Sequence, residues 1–390
     1  MMIRLAAGLT CACLLLLSLI PATGLDARPS AAPDRLDDAA FWRLFTEMSE
    51  PGGYFRSDNL VSNERTFPRI LPDIARRASR TGAYVGVGPE QNFSYLATLR
   101  PRLAFIVDIR RQNAMLHLLY KALVERSPSR AEFLSRLFSR PRPRHLGPRS
   151  TARELMEAFN VGSASADLYA DNLRDIRSHL VDRHGFALTA EDLDSLQYVY
   201  SAFFESGPTL SYSARSGRRG RPFPMYAELM AATDEKGVAR SFLATEESYL
   251  ALRDLHLRNL IVPVVGDFAG EKALKAVGAY LRTQGLTVTT FYTSNVEFYL
   301  FRDDAWRRFY ENLAAMPVSR QGVLVRSIFR GPGGFGGPGF PGWPGPGFPG
   351  GSLEGRLVLD PIGDLVAAFR RGDIQGYGDI LARTPQERPR

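Results

Sequence analysis

The residues best suited to chemistry lie in the stretch YVGVGPEQNFSYLATLRPRLAFIVDIR, residues 84–110. Gly86 and Gly88 end a first apolar run, and glycine lets backbone approach a ligand without a Cβ in the way. Pro89 has the φ suited to a first helical position. Asp108 ends a second apolar run about 20 residues later, where an acidic side chain can bind a ribose hydroxyl pair. The order of strand, glycine turn, helix, strand and acid therefore predicts a nucleotide-type pocket.

Polar side chains also follow the other predicted strands. Because parallel strands end at one edge of a sheet, where ligands of open α/β folds bind, we expect these side chains to line one site. Helix capping is an equal alternative for Asp267 and Ser294. The remaining candidates after strands are Glu90, Asn92, Asn295 and Glu297.

The segment YFRSDNLVSNE, residues 54–64, is rich in turn formers and hydrogen-bonding side chains. It precedes the first predicted strand, and we expect it to form a lid or a substrate wall. A capped turn between two helices is the alternative. Its candidate substrate contacts are Arg56, Asp58, Asn59 and Asn63.

Apolar periodicity predicts an α/β fold with a doubly wound, mostly parallel sheet, a C-terminal antiparallel hairpin and an inserted helical cap. Pro263 lies inside the predicted strand 260–268, so that strand should be at a sheet edge or a bulge. The predicted divisions are a signal peptide at 1–27, an N-terminal helical segment with the lid at 28–80, a first β/α half at 81–139, a basic linker and helical insertion at 140–257, a second β/α half at 258–330, a Gly/Pro-rich disordered loop at 331–352, and a closing strand with a C-terminal helix and tail at 353–390.

The N-terminus resembles a secretory signal. Arg4 precedes an apolar run from Leu5 to Ile20, and small residues follow. We expect an exported protein, periplasmic or extracellular, with anchoring by an uncleaved segment as the alternative. Cys11 and Cys13 would leave with the signal, which would exclude disulfides and thiolate chemistry from the mature chain.

The formal charge of +8 indicates an anionic neighbourhood. The basic runs at 140–149 and 215–222 contain no interleaved aromatic residues, so an anionic envelope lipid is favoured over nucleic acid as a partner. Aromatic residues in the Gly/Pro-rich loop could contact a membrane or a protein. No metal is expected, because the histidines show no ligand spacing: His117, His145, His179, His184 and His256.

The strand, glycine turn, helix, strand and Asp108, followed by a distal strand ending in Gly266-Asp267, resemble the class I S-adenosylmethionine-dependent methyltransferase fold, a Rossmann-like fold. The resemblance covers roughly residues 80–125 and 258–365. It implies that Gly86 and Gly88 pass under the methionine part of the cofactor and that Asp108 binds the ribose. Asp267 would lie near the adenine or methionine end. The chain also resembles an uncharacterised group of exported bacterial proteins with YFRSDN, VGPEQN and GDFAG segments.

Two positions depart from that family's pattern. Tyr84 occupies the place of a usual acidic residue, and Glu90 replaces a third glycine. The sequence therefore predicts a methyltransferase-like protein that uses S-adenosylmethionine, with a substrate that the sequence does not identify. The alternative is a non-catalytic small-ligand-binding protein or an envelope scaffold on the same fold. Gln91 stands where a dinucleotide motif requires a sixth-position glycine, which argues against a nicotinamide cofactor.

Overall fold

The computed structural model describes residues 33–55, 57–77, 81–212, 223–328, 330–331, 334–335 and 356–383. The predicted signal segment, the basic run at 215–222 and most of the Gly/Pro-rich loop therefore lie outside the described residues. Within the described ranges, every helix is too short or too polar to cross a membrane.

The centre of the molecule is a six-stranded sheet of order β3-β2-β1-β4-β5-β8. The strands β1 to β5 run parallel to one another, and β8 pairs antiparallel with β5. Two-residue strands β6 and β7 form a separate pair. The bounds are β1 Ala83–Gly86, β2 Leu103–Asp108, β3 Ile261–Val265, β4 Val288–Ser294, β5 Val318–Ile328, β6 Arg330–Gly331, β7 Gly334–Phe335 and β8 Arg356–Pro361.

Fifteen α-helices lie in the described part of the chain. Their bounds are α1 Asp38–Met48, α2 Phe67–Arg77, α3 Gln91–Leu99, α4 Arg111–Glu125, α5 Arg130–Phe138, α6 Ala152–Val161, α7 Ala166–Ser178, α8 Ala190–Ser206, α9 Tyr226–Ala231, α10 Glu246–Leu257, α11 Ala273–Thr283, α12 Val296–Arg302, α13 Trp306–Ala315, α14 Ile362–Arg370 and α15 Tyr377–Arg383. A five-residue π-helical turn, His179–Arg183, continues α7.

Helices cover both faces of the sheet. The helices α2, α3, α10 and α4 pack side by side on one face, and α11, α13 and α14 pack on the other. The strands β1, β2 and β3 are buried along their whole length, as expected for parallel strands covered on both sides. The helix α1 lies along the outer side of β3 and covers that edge of the sheet.

The residues between α4 and α10 add a further helical layer outside the sheet. The helix α8 packs against α4, and Arg111 at the start of α4 forms an ion pair of 2.6 Å with the buried Asp192 of α8. Asp192 also completes a capping box with Thr189, so one carboxylate both starts α8 and fixes it to α4.

The predicted α/β class and the mostly parallel sheet are confirmed. Pro263 lies in β3, an edge strand, where its missing N–H costs no ladder hydrogen bond. The sequence analysis did not anticipate α5, α9, α12 and α13, and it expected one helix after the closing strand where the structure has two, α14 and α15. Most of these are short segments between stronger apolar patterns.

Candidate ligand site at the carboxyl edge of the sheet

The glycine turn after β1 contains two glycines with different constraints. Gly88 has φ of +77°, and a Cβ added there would meet no described atom within 4 Å. A Cβ on Gly86 would instead lie 2.0 Å from the Oδ1 atom of Asn92 and 2.7 Å from the ring of Tyr84. Gly86 is therefore required by internal packing, whereas Gly88 faces open space in a conformation that favours glycine.

Asn92 is buried beneath the turn and uses its side chain to hold it. Its Nδ2 donates to the carbonyl oxygens of Val87, Gly88 and Pro89 at 2.9, 3.2 and 2.8 Å. Its Oδ1 accepts from the hydroxyl of Tyr84 at 2.8 Å. Asn92 was predicted to contact a cofactor, but these bonds direct its side chain at its own backbone. Tyr84 has the complementary task of orienting Asn92.

Asp108 ends β2 and is bound by Arg110, two residues later. Its Oδ1 accepts from the backbone N and Nε of Arg110 at 2.9 and 3.0 Å, and its Oδ2 accepts from Nη2 at 2.8 Å. Both side chains are 7% exposed. A carboxylate has about four acceptor positions, so three of them are occupied by Arg110. The fork of Arg110 also reaches the carbonyl oxygen of Asp58 through Nη1.

The contact between Arg110 and Asp58 is one of several that a polar segment makes along the carboxyl edge of the sheet. Residues 49–64, which we call the covering segment, cross the carboxyl ends of four strands in spatial order, with Arg56 outside the described residues. The contacts, in order, are Glu50 N to Val265 O at 2.8 Å, Gly53 N to Ile109 O at 2.7 Å, Ser62 N to Glu90 Oε1 at 3.1 Å and Ser294 Oγ to Glu64 Oε1 at 2.7 Å. The segment therefore passes above β3, β2, β1 and β4 in turn.

Glu64 fills the crevice between β1 and β4. Its Oε2 accepts from Gln91 Nε2 at 2.6 Å and from the hydroxyl of Tyr292 at 2.8 Å. Burial raises the pKa of Glu64, and the hydrogen bonds from Ser294, Gln91 and Tyr292 offset only part of this effect. A carboxyl group of the covering segment thus occupies the position where the strand order reverses.

Glu90, at the end of the glycine turn, is fully buried. Its Oε1 accepts from Ser62 N, and its Oε2 has no hydrogen-bond partner among the described residues. Burial raises the pKa of Glu90 to about 7, against which the hydrogen bond from Ser62 acts only weakly. Burial and then the charge of Glu90 raise the pKa of the Tyr226 phenol, which places these two groups near each other. Near neutral pH, Glu90 is poised between its two protonation states.

One side chain on α4, His117, contacts the glycine turn, and Asn113 lies one helical turn before it on the same face. His117 Nε2 lies 2.9 Å from the carbonyl oxygen of Gly88, so Nε2 carries the proton and Nδ1 is an acceptor. Burial lowers the pKa of His117 to about 4. Asn113 is also buried. Within the described part of the chain, neither His117 Nδ1 nor Asn113 Oδ1 has a hydrogen-bond partner.

The other predicted site residues have varied surroundings. Asp267 is half-buried after β3, and its Oδ1 accepts from Ala269 N at 2.9 Å, which is a local capping contact. Asn295 precedes α12 without a side-chain capping bond. Glu297 is buried away from the edge, where its Oε1 accepts from the hydroxyl of Tyr310 at 2.6 Å and its Oε2 lies 3.5 Å from Arg326.

The covering segment supplies three further candidates. Asp58 Oδ2 accepts from the hydroxyl of Tyr198 at 3.1 Å, which ties the segment to α8. Asn59 is half-buried with φ of +47°, and Asn63 is half-buried. The fourth predicted contact of this group, Arg56, lies outside the described residues.

The parallel strands thus bring Gly88, Glu90 and Asp108 to one edge. Sequence reasoning missed Arg110, Asn113 and His117, which complete that surface. A signal was present, because Asn113 and His117 are polar residues at i and i+4 in a helix that begins three residues after Asp108.

A search of curated proteins gave no match for this chain. The family described as Domain of unknown function (DUF7790) matches residues 59–338. Since that range is more than half of the chain and includes the glycine turn, Asp108 and most of the helical layer, the protein belongs to this family.

Proposed function

We propose that the protein binds a small, hydroxyl-rich ligand of the nucleoside type at the carboxyl edge of the sheet, between the glycine turn and the first turns of α4. One observation carries the proposal. Gly88 faces open space, and the nearby buried acceptors Asn113 Oδ1 and His117 Nδ1 have no partner among the described residues. Unpaired buried polar atoms are costly, so a natural protein normally supplies a partner for them.

The position in the fold supports this proposal. The strand β1 has β2 on one side and β4 on the other, so the strand order reverses between β1 and β4. Glu64 fills that crevice itself, and the proposed site lies beside it, on the β2 side of β1. Ligands of open α/β folds bind at such points, outside the carboxyl ends of the strands. The antiparallel strand β8 beside β5 is similar to the closing strands of the methyltransferase-like fold, which supports that finer description.

The chemistry of the unpaired atoms indicates the kind of ligand. His117 Nδ1 is an acceptor, and the amide of Asn113 offers both an acceptor and donors, so the pair favours a ligand with hydroxyl groups, which both donate and accept, as in a nucleoside. S-adenosylmethionine is the nucleoside that the sequence resemblance implies. Arg110 already takes three acceptor positions of Asp108, so a ribose hydroxyl pair would share this carboxylate with it. This occupancy supports binding without catalysis, the alternative that Tyr84 and Glu90 favour. The expected export would also separate the protein from cytoplasmic S-adenosylmethionine.

Methyl transfer is a second candidate. The replacement of a glycine of the methyltransferase pattern by Glu90 argues against it, whereas the raised pKa of the Glu90 side chain supports it. A general base works best when its pKa is close to the operating pH, and the pKa of Glu90 is about 7. Its partner-free Oε2 adjoins the glycine turn. In this reaction Glu90 would accept the proton that the methyl acceptor loses.

Calorimetry with S-adenosylmethionine, S-adenosylhomocysteine and adenosine tests the binding proposal. We expect Gly88→Ala and Asn113→Ala each to raise the dissociation constant by about tenfold or more, which corresponds to a loss of about 1.4 kcal/mol of binding free energy. Gly237→Ala is the matched control, because Gly237 also has a positive φ of +74° and open space around it, in the exposed turn at 234–239.

Absence of heat with all three nucleosides would contradict a nucleoside site. Equal weakening in Gly88→Ala and Gly237→Ala would mean that backbone strain, rather than the space beside Gly88, causes the loss. If a nucleoside binds, release of S-adenosylhomocysteine from S-adenosylmethionine in the presence of a polar cell extract distinguishes the two candidates. Methyl transfer predicts release by the wild type and its loss in Glu90→Gln.

A further inference from the structure

Three side chains converge at the opposite, amino edge of the sheet. Glu125 is the last residue of α4, while His179 and His184 lie at the two ends of the π-helical turn. The Nε2 atom of each histidine lies 2.7 Å from Glu125 Oε2, and the three ligand atoms are all within 4.8 Å of one another. We propose that Glu125, His179 and His184 bind a divalent transition-metal ion of the zinc type.

The tautomer of His184 supports a cation at this point. Its Nδ1 lies 2.6 Å from Asp38 Oδ1, and since an ionised carboxylate only accepts, Nδ1 carries the proton. In the neutral ring, Nε2 then presents a lone pair to Glu125 Oε2, which is also an acceptor. Two acceptors 2.7 Å apart repel each other unless a proton or a cation lies between them. A metal ion satisfies both atoms, together with His179 Nε2.

The surroundings of the cluster fit metal ligands. Histidines that bind zinc commonly donate their other ring N–H to a carboxylate, which fixes the ring, and Asp38 has this position here. Asp38 is itself held by Asn259 Nδ2 at 2.9 Å. His184 also stacks on Phe186, with ring centroids 4.9 Å apart. The orientation of His184 is therefore fixed from two sides.

One carboxylate oxygen of Glu125 is left for a cation. Lys121 Nζ binds Glu125 Oε1, which leaves Oε2 to face the histidines. The nearby Arg253 Nη2 donates to the backbone carbonyl oxygen of Glu125 at 3.0 Å. The side chains of Glu125, His184 and His179 are 4%, 6% and 11% exposed, so water screens the charge of Oε2 only weakly.

The distances require only a small adjustment. Zinc lies about 2.0–2.2 Å from nitrogen and carboxylate ligands, so tetrahedral ligand atoms are roughly 3.3 Å apart. The histidine nitrogens would move outward from Glu125 by about 0.6 Å to reach that spacing. Three protein ligands leave a fourth position for water, as in zinc sites that keep an open coordination position.

The π-helical turn explains why the sequence spacing concealed this site. His184 N donates to His179 O at 3.1 Å, an i to i+5 bond that places the two rings on the same side of the turn. In an α-helix, a spacing of five would separate them. The ion would thereby join the helical layer to α4 and, through Asp38, to α1.

The test is metal binding by the untagged full chain after removal of metal with a chelator. We expect one equivalent of Zn²⁺ by elemental analysis after dialysis, and one equivalent of Co²⁺ with the strong visible absorption of a tetrahedral site. Replacing either ligand, in His179→Gln or His184→Gln, should weaken zinc affinity by about 100-fold or more, since loss of an outer partner alone costs 10- to 100-fold. His145→Gln, at an exposed position, is the matched control and should bind like the wild type.

Two results would overturn the proposal. One is a wild type that binds Zn²⁺ no more tightly than the double variant His179→Gln/His184→Gln. The other is an equal loss in His145→Gln, which would indicate nonspecific binding by histidine. Circular dichroism of each variant without metal shows whether it is folded. If the ligand variants are unfolded, Asp38→Asn reports on the same site through the orientation of His184, with an expected loss of about 10-fold or more.

Discussion

Two buried carboxyl groups at the carboxyl edge, Glu64 and Glu90, differ in electrostatic state from Glu125 at the amino edge. A third group at the carboxyl edge, Asp108, is instead ion-paired with Arg110. At the carboxyl edge, Glu64 and Glu90 are surrounded by neutral groups, and burial raises the pKa of both. At the amino edge, burial also acts to raise the pKa of Glu125, but in the absence of a metal ion its contacts with His179 and His184, together with the charge of Lys121, hold this pKa far below its usual range. Burial therefore does not decide the charge of a carboxyl group by itself; its partners do.

The helix α4 connects these two environments. Its 15 residues extend about 22 Å, from the neighbourhood of Asp108 to Glu125. Asn113 and His117 on its first turns lack partners at one or more polar atoms in the described structure, whereas Lys121 and Glu125 on the same face are fully engaged. We infer that the unpaired end is suited to an exchangeable ligand and the paired end to stability.

The largest expected effect comes from removing a charge at the paired end. Lys121→Met should lower the free energy of unfolding by about 3–5 kcal/mol, because it leaves Glu125 with an uncompensated buried charge. Lys236→Met, at an exposed turn, should change it by less than about 0.5 kcal/mol. Urea denaturation at pH 7 measures both. A loss below about 1 kcal/mol for Lys121→Met would show that the histidines or a bound ion maintain Glu125 without the lysine.

The second effect tests the neutral character of the carboxyl edge. The pKa of Glu90 is about 7 in the folded chain and about 4.5 in the unfolded chain, so the folded chain binds more protons between these values and stability falls as pH rises. Glu90→Gln removes this penalty. As the pH is raised from 5 to 8, the free energy of unfolding of the variant should increase by about 2–3 kcal/mol relative to that of the wild type.

Urea denaturation at four pH values between 5 and 8 gives this difference directly. The control Glu235→Gln changes an exposed glutamate, and its curve should stay parallel to that of the wild type. If the plot of stability against pH for Glu90→Gln were also parallel to that of the wild type, Glu90 would be ionised in the folded chain. The proposed contrast with the ionised Glu125 would then be wrong.

The sequence predicts the sheet well because parallel strands have a strong local signal. Apolar runs such as Leu103–Asp108 can be buried only between covering helices, and turn residues mark their ends. The same reasoning brought Gly88 and Asp108 to a common edge. It could not show that Arg110 binds Asp108, because a two-residue separation allows many side-chain directions.

Local sequence patterns could not predict the contacts between segments that are distant in the chain. The covering segment was expected near the site from its polar composition, but its bonds to Glu90 and Ser294 depend on the tertiary path of the chain. The histidine cluster was missed for a different reason. A five-residue spacing predicts opposite sides of an α-helix, and only the π-helical turn brings His179 and His184 together.

The third prediction concerns His117, at the same carboxyl edge, whose effect on stability has the opposite pH dependence to that of Glu90. Burial lowers the pKa of His117 to about 4 from about 6.5 in the unfolded chain, so the unfolded chain binds more protons between these values and stability falls as pH decreases. His117→Gln keeps an N–H donor for Gly88 but does not titrate. As the pH is lowered from 7 to 4.5, the free energy of unfolding of the variant should rise by about 2 kcal/mol relative to that of the wild type. Urea denaturation measures this difference, and the control His145→Gln should not show it. If the stability difference between the variant and the wild type did not change with pH, His117 would bind its second proton as readily in the folded chain as in the unfolded chain.

The smallest expected effect is that of Asn113→Ala, and comparison with Asn92→Ala separates a ligand-facing asparagine from a structural one. Asn92→Ala removes four hydrogen bonds within the glycine turn and should cost about 2–4 kcal/mol. Asn113→Ala removes an amide whose Oδ1 has no partner in the described structure, so its cost should be below about 0.5 kcal/mol in the absence of ligand. Thermal unfolding without and with a bound nucleoside measures both variants. If Asn113→Ala were as destabilising as Asn92→Ala, this face of α4 would be part of the core, and the open space beside Gly88 would need another explanation.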